Sequence, residues 1–264
     1  MQFDRINGLV LHYVHISPPS GAPTIVFSNS LGTDLRIWDE VMVDLAADYG
    51  VVLYDKRGHG LSDIGKVPYS MADHVGDLAG LLDHLGVKNA IVCGLSVGGM
   101  IAQGLYSERP DLVRALVLCD TAHKIGTQES WNDRIDAVTQ RGVASISGAV
   151  LERWFVQSFR TDTNPAYAGA RNMLVRTPLE GYVGTCMALR DTDYTANAKK
   201  IAVPTLCVVG AEDGSTPPAM VRQFANLIPG ARYEVVDAAA HLPCIEQPEA
   251  LAGLIRDFLA GLDG

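Results

Sequence analysis

The sequence lacks an apolar run approaching the ~18 residues that a membrane helix requires. We therefore expect no membrane span in its 264 residues. The start, residues 1–5, also lacks the basic segment followed by an apolar one that marks a secretory signal. A cytoplasmic location is the expectation that follows.

Cysteine is scarce and follows no pairing pattern. Five cysteines, an odd number, include no C-x-x-C pair, which argues against a disulfide framework and a zinc site. Three of them lie in or beside apolar strand patterns, so we expect reduced and mostly buried thiols. No His, Cys, Asp or Glu cluster has metal-ligand spacing, and we predict no metal. The cysteines are Cys93, Cys119, Cys186, Cys207 and Cys244.

Basic residues are outnumbered by acidic ones. The formal net charge is −9, from 21 Lys and Arg against 30 Asp and Glu. This balance disfavours nucleic acid and anionic membranes as partners. An anionic small molecule would need a local arginine to receive it. The composition, 48% hydrophobic and 19% charged, is typical of a soluble globular enzyme, and the length favours one domain with an insertion.

Apolar strand patterns alternate with helical patterns along most of the chain, which predicts an α/β fold. The first 16 residues alternate around Asn7-Gly8, a strong hairpin signal, and predict an antiparallel edge. Six further strand patterns predict, with that hairpin, a mostly parallel sheet of eight strands flanked by helices. They span residues 24–27, 51–54, 90–93, 114–119, 204–209 and 233–236.

The alternation stops in the middle of the chain, where aromatic residues and arginines are interleaved in a helical pattern. We interpret residues 123–195 as a helical cap inserted into a core of residues 1–122 and 196–264. The cap is expected to fold over the carboxyl edge of the sheet and to determine specificity.

The segment around which the chain is organised runs from Ala90 to Met100. Four apolar residues lead into Gly94-Leu95-Ser96-Val97-Gly98 and a helical pattern follows, the context that a nucleophile elbow requires. In such a turn strand and helix cross closely, so the positions two before and two after the serine must lack side chains. The pattern predicts Ser96 as an exposed nucleophile and the Val97 N–H as an oxyanion donor.

Partners for a nucleophilic serine are found in other loops at the same edge of the sheet. Ser28 to Gly32 is a short polar turn after a strand, and Leu31 is the candidate for the second oxyanion N–H. Asp213 follows one late strand and His241 follows the last. The order Ser96, Asp213, His241 is the triad order of α/β-hydrolases.

Three other residues compete for these roles. His59 lies in a glycine-rich polar loop and could be a base, but a histidine in a tight loop commonly hydrogen-bonds to the backbone, so we assign it a structural role. Glu212 and Asp237 are alternative acids, each at a position where the strand has not clearly ended. We place Asp213 ahead of both.

Over essentially the whole chain these residues resemble the α/β-hydrolase superfamily. Three further motifs carry a narrower resemblance: Phe27 to Leu35 with Trp38, Tyr54 to Ser62, and Cys93 to Gly99. Together they resemble the bacterial 3-oxoadipate enol-lactonases. Asn29-Ser30 stands where many superfamily members carry His-Gly, and this departure favours the lactonases.

The resemblance implies that the chain opens 3-oxoadipate enol-lactone to 3-oxoadipate in the β-ketoadipate pathway of aromatic degradation, with no cofactor. Since this lactone carries a carboxylate, we expect a cation near the pocket. Arg134, one helical turn from Trp131, is the candidate receptor and Trp154 a possible wall. Arg190 is the next candidate.

Other activities use the same triad. A carboxylesterase of broad specificity and a haloperoxidase-like perhydrolase are the first alternatives, and a meta-cleavage carbon–carbon hydrolase is a third. A butenolide-sensing receptor that keeps the fold is an alternative of a different class. Epoxide hydrolases and dehalogenases are disfavoured because they place an aspartate where this chain has Ser96.

Overall fold

The computed structural model describes residues 1–19 and 21–262. Within them the chain forms one eight-stranded sheet. The strands are β1 Gln2–Ile6, β2 Leu9–Ile16, β3 Thr24–Ser28, β4 Gly50–Tyr54, β5 Ala90–Leu95, β6 Val113–Cys119, β7 Thr205–Gly210 and β8 Arg232–Val236.

Helices connect most of these strands. They are α1 Asp39–Leu45, α2 Met71–Leu85, α3 Val97–Glu108, α4 Gln128–Arg141, α5 Ser147–Trp154, α6 Pro165–Val175, α7 Leu179–Arg190, α8 Thr195–Ala198, α9 Pro218–Ala225, α10 Pro243–Glu246 and α11 Pro248–Ala260. Short 3₁₀ turns span Leu35–Trp38, Pro110–Leu112 and Val143–Ile146.

The strand order is β1-β2-β4-β3-β5-β6-β7-β8. β1 and β2 form the antiparallel edge, β2 also pairs antiparallel with β4, and the remaining pairs are parallel. Asn7 and Gly8 both have positive φ, 50° and 85°, as the tight hairpin turn requires. The predicted fold, a mostly parallel eight-stranded sheet flanked by helices, is confirmed.

Burial explains why the central strands are continuous apolar runs. Every residue of β3, β4, β5 and β7 is buried, since a parallel strand is covered by helices on both faces. α3 packs against β5 and β6, with α2 beside it, while α1 packs beside α11. The carboxyl ends of β3, β5, β7 and β8 therefore lie along one edge of a rigid sheet, where their loops can meet.

Between β6 and β7 the described chain contains helices and turns but no strand. α4 and α7 pack against each other, α5 against α6, and α2 contacts α7. These helices occupy the stretch that the sequence assigns to the cap. The division into core and cap stays a prediction.

The five cysteines are free and buried, in agreement with reduced thiols. No helix within the described residues is long and apolar enough to cross a membrane.

Candidate active site

Ser96 lies at the junction of β5 and α3 in a strained conformation. Its φ is 59° and its ψ is −118°, a region that non-glycine residues rarely adopt. The surrounding backbone fixes this geometry, because the Ser96 N–H donates to Cys119 O at 3.0 Å and Thr121 Oγ1 donates to Ser96 O at 2.7 Å. This backbone conformation directs the Ser96 side chain away from the direction that it would take in a regular strand or helix.

The two glycines of the elbow are required by close packing. A Cβ on Gly94 would collide with the Gly98 backbone, and a Cβ on Gly98 would collide with Ser28 O at the end of β3. Neither collision is with a flexible side chain, so no local adjustment would relieve it. The crossing of strand and helix is as close as the sequence pattern predicted.

Asp213 and His241 are joined by a hydrogen bond. His241 Nδ1 lies 2.9 Å from Asp213 Oδ2, and both residues are at least 97% buried. Asp213 also accepts from the Ser215 N–H at 2.7 Å, the Thr216 N–H at 3.1 Å and Thr216 Oγ1 at 2.6 Å. Burial raises the pKa of Asp213, but the His241 charge and these hydrogen bonds outweigh it and hold the pKa below its ordinary value.

The competing acids lie elsewhere. Glu212 and Asp237 are exposed, and within the described part of the chain neither contacts His241. β7 ends at Gly210, so Asp213 lies beyond the strand in the loop that faces His241. The preference for Asp213 over the other two agrees with this geometry.

Ser96 and His241 line the same cavity of about 230 Å³, together with Leu31. The structure shows no hydrogen bond between Ser96 Oγ and His241 among the described residues. Such bonds are often long or poorly aligned in the absence of substrate. The shared cavity brings together Ser96 and His241, the predicted nucleophile and base.

The turn that carries Leu31 is held by two buried side chains from the loop after β4. Lys56 Nζ donates to Ser30 O at 2.5 Å and to Thr33 O at 3.3 Å. His59 Nε2 accepts from the Gly32 N–H at 3.1 Å. Burial lowers the pKa of Lys56 to about 7 and also lowers that of His59 well below its ordinary value. His59 therefore has a structural role, as the sequence indicated.

Leu31 and Val97 each offer a backbone N–H without an acceptor among the described residues. The Gly32 N–H is already engaged by His59, and Leu31 stays the predicted donor of this turn. Val97 is the first residue of α3, where the N–H has no partner within the helix. Leu31 lines the cavity, and Val97 directly follows Ser96.

The three residues predicted to bind substrate all line this cavity: Trp131, Arg134 and Trp154. The Arg134 guanidinium lies over the Trp131 ring, 5.1 Å from its centre. Arg190, the next candidate, does not line the cavity. Its guanidinium is bound to Asp191 at 2.8 Å and to Asn132 at 3.0 Å.

Arg153 also lines the cavity, and sequence reasoning missed it. It lies on α5 directly before Trp154, whose place at the cavity was predicted. An acidic neighbour in the sequence does not distinguish it from Arg190, which is followed by Asp191. Arg153 is preceded by Glu152, yet no ion pair joins Arg153 to an acid among the described residues.

Asp120 is a further acid beside the pair. It follows β6, has φ of 46° and is fully buried. Single ligand atoms of Asp120, Asp213 and His241 lie within 4.8 Å of one another. Asp120 Oδ1 accepts from the Gly210 N–H at 2.9 Å, while Oδ2 has no hydrogen-bond partner among the described residues. Sequence spacing could not reveal this cluster, because its members come from three separate loops.

In a metal site these three residues would offer two carboxylates and an imidazole. Asp213 uses both oxygens to accept hydrogen bonds from Ser215, Thr216 and His241. Nδ1 of His241 is likewise engaged. The arrangement is that of a hydrogen-bonded acid–base pair, and the absence of a metal stays a prediction.

Comparisons with known proteins agree with this fold. A family model described as the alpha/beta hydrolase fold matches residues 23–248. The chain is 34% identical over 250 residues to 3-oxoadipate enol-lactonase 1 of Acinetobacter baylyi, covering 94% of this chain and 93% of that protein.

Two solved structures are similar over nearly the whole chain. The enol-lactonase from Burkholderia xenovorans LB400 has a TM-score of 0.94 and 37% identity, with 98% of this chain and 100% of that chain covered. A thermophilic esterase from Thermogutta terrifontis has a TM-score of 0.92 and 26% identity, with 99% of each chain covered. The predicted superfamily is thereby confirmed, and the chain belongs to the α/β-hydrolase fold family as a hydrolase.

Proposed function

We propose that this hydrolase uses Ser96, His241 and Asp213 as a catalytic triad to open 3-oxoadipate enol-lactone to 3-oxoadipate. The observation that carries the proposal is the single cavity lined by Ser96, by His241 with its bound Asp213, and by cap arginines. Similarity to two enol-lactonases supports the choice of lactone. The reaction belongs to the β-ketoadipate pathway of aromatic degradation.

In the first step Ser96 Oγ attacks the ring carbonyl while His241 Nε2 takes its proton. Asp213 keeps Nδ1 protonated and stabilises the imidazolium that forms. The hydrogen bonds that Ser215 and Thr216 donate to Asp213 keep its carboxylate ionised for this task. The bond between Ser96 and the carbonyl carbon thereby forms at the expense of the carbonyl π bond.

The oxyanion that results would be received by the Leu31 and Val97 N–H groups. Because both donors are fixed before substrate arrives, they cost little reorganisation in the transition state. Lys56 and His59 hold the Leu31 turn, and α3 holds Val97. The N-terminus of α3 adds a favourable dipole.

Collapse of the tetrahedral intermediate breaks the ring C–O bond and expels an enolate. An enolate is a better leaving group than an ordinary alkoxide, and the imidazolium of His241 supplies its proton. The enol then tautomerises to the ketone. His241 next activates a water molecule that cleaves the acyl-enzyme, so that the new carboxylate is released and Ser96 is restored.

The substrate carboxylate needs a receptor in a protein of net charge −9. Arg134 is our candidate, since its guanidinium is oriented on the Trp131 ring within the cavity. Trp154 forms part of the wall and also stands beside Gly32, at the turn that carries Leu31. The three residues would hold the anionic end of the lactone while its carbonyl faces Ser96.

A broad-specificity carboxylesterase is the second candidate, favoured by similarity to the Thermogutta terrifontis esterase. A haloperoxidase-like perhydrolase and a butenolide-sensing receptor use the same fold and triad. Neutral esters would be good substrates of the esterase. A receptor would give slow or single turnover.

The test compares kcat/KM on freshly generated 3-oxoadipate enol-lactone with that on p-nitrophenyl acetate, for the parent, Ser96→Ala and the exposed control Ser158→Ala. We expect a lactone preference of several orders of magnitude, lost in Ser96→Ala and kept in Ser158→Ala. Equal or faster turnover of the neutral ester would contradict the lactonase and favour the esterase. Peracid formation from acetate and hydrogen peroxide would favour the perhydrolase.

A further inference from the structure

Two arginines from different cap helices face the cavity that holds Ser96. Arg134 comes from α4 and Arg153 from α5. Neither forms an ion pair with a carboxylate among the described residues. Side chains of this kind normally find an acid or lie in solvent, so a pair of them in one partly enclosed cavity requires an explanation.

Arg153 is fixed by packing. Its stem lies along the loop that follows Asp213, because a Cβ on Gly214 would stand 3.1 Å from Arg153 Cγ. Gly214, Ser215 and Thr216 line the cavity beside it. The Arg153 side chain is therefore held between the cap and the loop that carries the triad acid.

The two guanidinium groups act on each other. Burial, and then the charge of Arg134, lower the pKa of Arg153. The same Arg134 charge opposes the effect of burial on the Tyr182 hydroxyl, whose pKa is raised. Both arginines thus contribute positive charge to one small volume, and neither forms an ion pair with an acid among the described residues.

Two other basic side chains between residues 123 and 195 form ion pairs with acids. Arg190 is bound to Asp191, and Lys124 to Asp193 at 3.1 Å. These ion pairs lie at or near the surface, where such pairs contribute little to folding stability. Arg134 and Arg153 differ from them in position and in lacking an acidic partner, so the cavity is electropositive within a protein of net charge −9.

We propose that Arg153 and Arg134 together form a receptor for one carboxylate of the substrate, and that Arg153 thereby makes the hydrolase selective for esters and lactones whose acyl part ends in a carboxylate. A carboxylate between the two groups would accept hydrogen bonds from both and relieve their mutual repulsion. The inference rests on the proposed serine hydrolysis and extends it to a class of substrate.

The experiment measures kcat/KM on two chromogenic esters that differ in charge, p-nitrophenyl acetate and the mono-p-nitrophenyl ester of succinic acid. The variants are Arg153→Met, Arg153→Lys, Arg134→Met and the control Arg171→Met. Methionine preserves the packing of the stem on Gly214. Arg171 is an exposed residue of α6 outside the cavity. Thermal unfolding checks that each variant is folded.

We expect Arg153→Met to lower kcat/KM on the succinate ester about 10- to 100-fold, as for the loss of a hydrogen bond to a charged group. Its loss on p-nitrophenyl acetate should be much smaller, since that ester has no carboxylate for the receptor. Arg153→Lys should recover part of the loss, because it restores charge without the planar fork. Succinate should also inhibit acetate ester hydrolysis less strongly in Arg153→Met.

Equal losses on both esters would overturn the proposal and make Arg153 a structural residue. So would a loss of discrimination in Arg134→Met alone, which would leave a single-arginine receptor. The outcome for the proposed lactone is separate. If Arg153→Met loses discrimination between the esters but the parent does not turn over the enol-lactone, the receptor stands and the lactonase assignment fails.

Discussion

His241 Nδ1 and Asp213 Oδ2 lie 2.9 Å apart, although the two residues are 28 positions apart in the chain. Asp213 arrives on the loop after β7 and His241 on the loop after β8, and parallel pairing of these strands aligns the two loops. The sheet register therefore determines the hydrogen bond. No contact within either loop alone could produce it.

Asp213→Asn keeps the shape of this pair but reverses one hydrogen bond. Since an amide can donate to Nδ1, His241 would be held in the wrong tautomer, and we expect kcat to fall about 1,000- to 10,000-fold with KM little changed. Steady-state kinetics on the preferred ester measure this. A loss below about tenfold would mean that Asp213 is not the triad acid.

The same substitution should change the pH dependence of stability. The pKa of Asp213 lies below its ordinary value of 3.8, so the folded state is stabilised above pH 3.8 and loses that contribution as pH falls through the lower folded value. Asp213→Asn removes this contribution, so the stability of the variant should depend less on pH in the acid range. Urea unfolding at pH 3 to 6 compares the two proteins.

Lys56 is a buried cation that holds the turn bearing Leu31. Lys56→Met removes the donors to Ser30 O and Thr33 O, so the turn should loosen and kcat should fall about 10- to 100-fold with little change in KM. Lys66→Met, an exposed lysine, is the matched control. Unchanged kcat in Lys56→Met would show that the turn keeps its shape without the ammonium group.

Lys56 also affects stability. Burial lowers its pKa to about 7 from 10.5, so the buried charge destabilises the folded state most below pH 7, and the parent gains stability as pH rises from about 7 toward 10.5. Lys56→Met lacks that gain. The free energy of unfolding of the parent should therefore rise relative to that of the variant across this pH range.

Glu246 joins the segment after α5 to the loop of His241. Its carboxylate accepts from the Val156 N–H at 2.8 Å and from the Ala240 N–H at 2.6 Å, and the Leu242 N–H donates to Trp154 O at 3.3 Å. Glu246→Gln offers one acceptor oxygen for two donors. We expect a loss of about 1.5–3 kcal/mol in unfolding free energy at neutral pH, and a severalfold lower kcat because Ala240 precedes His241.

The pKa of Glu246 is raised to about 7, chiefly by burial. A raised pKa means that its contribution to stability is fully present below pH 4.5 and is lost as pH rises through about 7. The advantage of the parent over Glu246→Gln should shrink over that interval, as urea unfolding at pH 5 and pH 8 would show. A difference that is constant with pH would contradict this origin.

Local patterns were sufficient to predict most of the core. Asn7-Gly8 fixes its hairpin through backbone conformation, and Ser96 with its flanking glycines identifies the elbow, because both signals reside in adjacent residues. The central strands were also predictable, since burial on both faces makes them continuously apolar. Such features need no knowledge of distant parts of the chain.

Contacts between distant segments were not predictable. Lys56 and Glu246 are ordinary charged residues in the sequence, and their burial depends on the turn after β3 and on the segment after α5. Arg153 could not be distinguished from the other arginines between β6 and β7, because its place at the cavity is determined by packing against Gly214. The charge near the candidate active site is thus determined by tertiary structure, although the order of the predicted triad residues can be recognised in the sequence.

Asp120 provides the last prediction. It is fully buried beside Asp213, and its Oδ2 has no hydrogen-bond partner among the described residues. Burial raises the pKa of Asp120 well above the ordinary 3.8, and the charge of Asp213 raises it further. Asp120→Asn keeps an oxygen for the Gly210 N–H and places an uncharged amide beside the Asp213 carboxylate. We expect the variant to be more stable by about 1–3 kcal/mol near pH 8, the cost of an unsatisfied buried polar group.

The raised pKa of Asp120 determines how the stability difference between Asp120→Asn and the parent changes with pH. Stability contributed by protonated Asp120 is present below pH 3.8 and is lost as pH rises toward the folded value, so the gain of Asp120→Asn should grow with pH. Asp162→Asn, at an exposed position, is the control. If Asp120→Asn were instead less stable than the parent throughout, the ionised carboxylate itself would be needed at this site, and Asp120 would act as a second acid for His241.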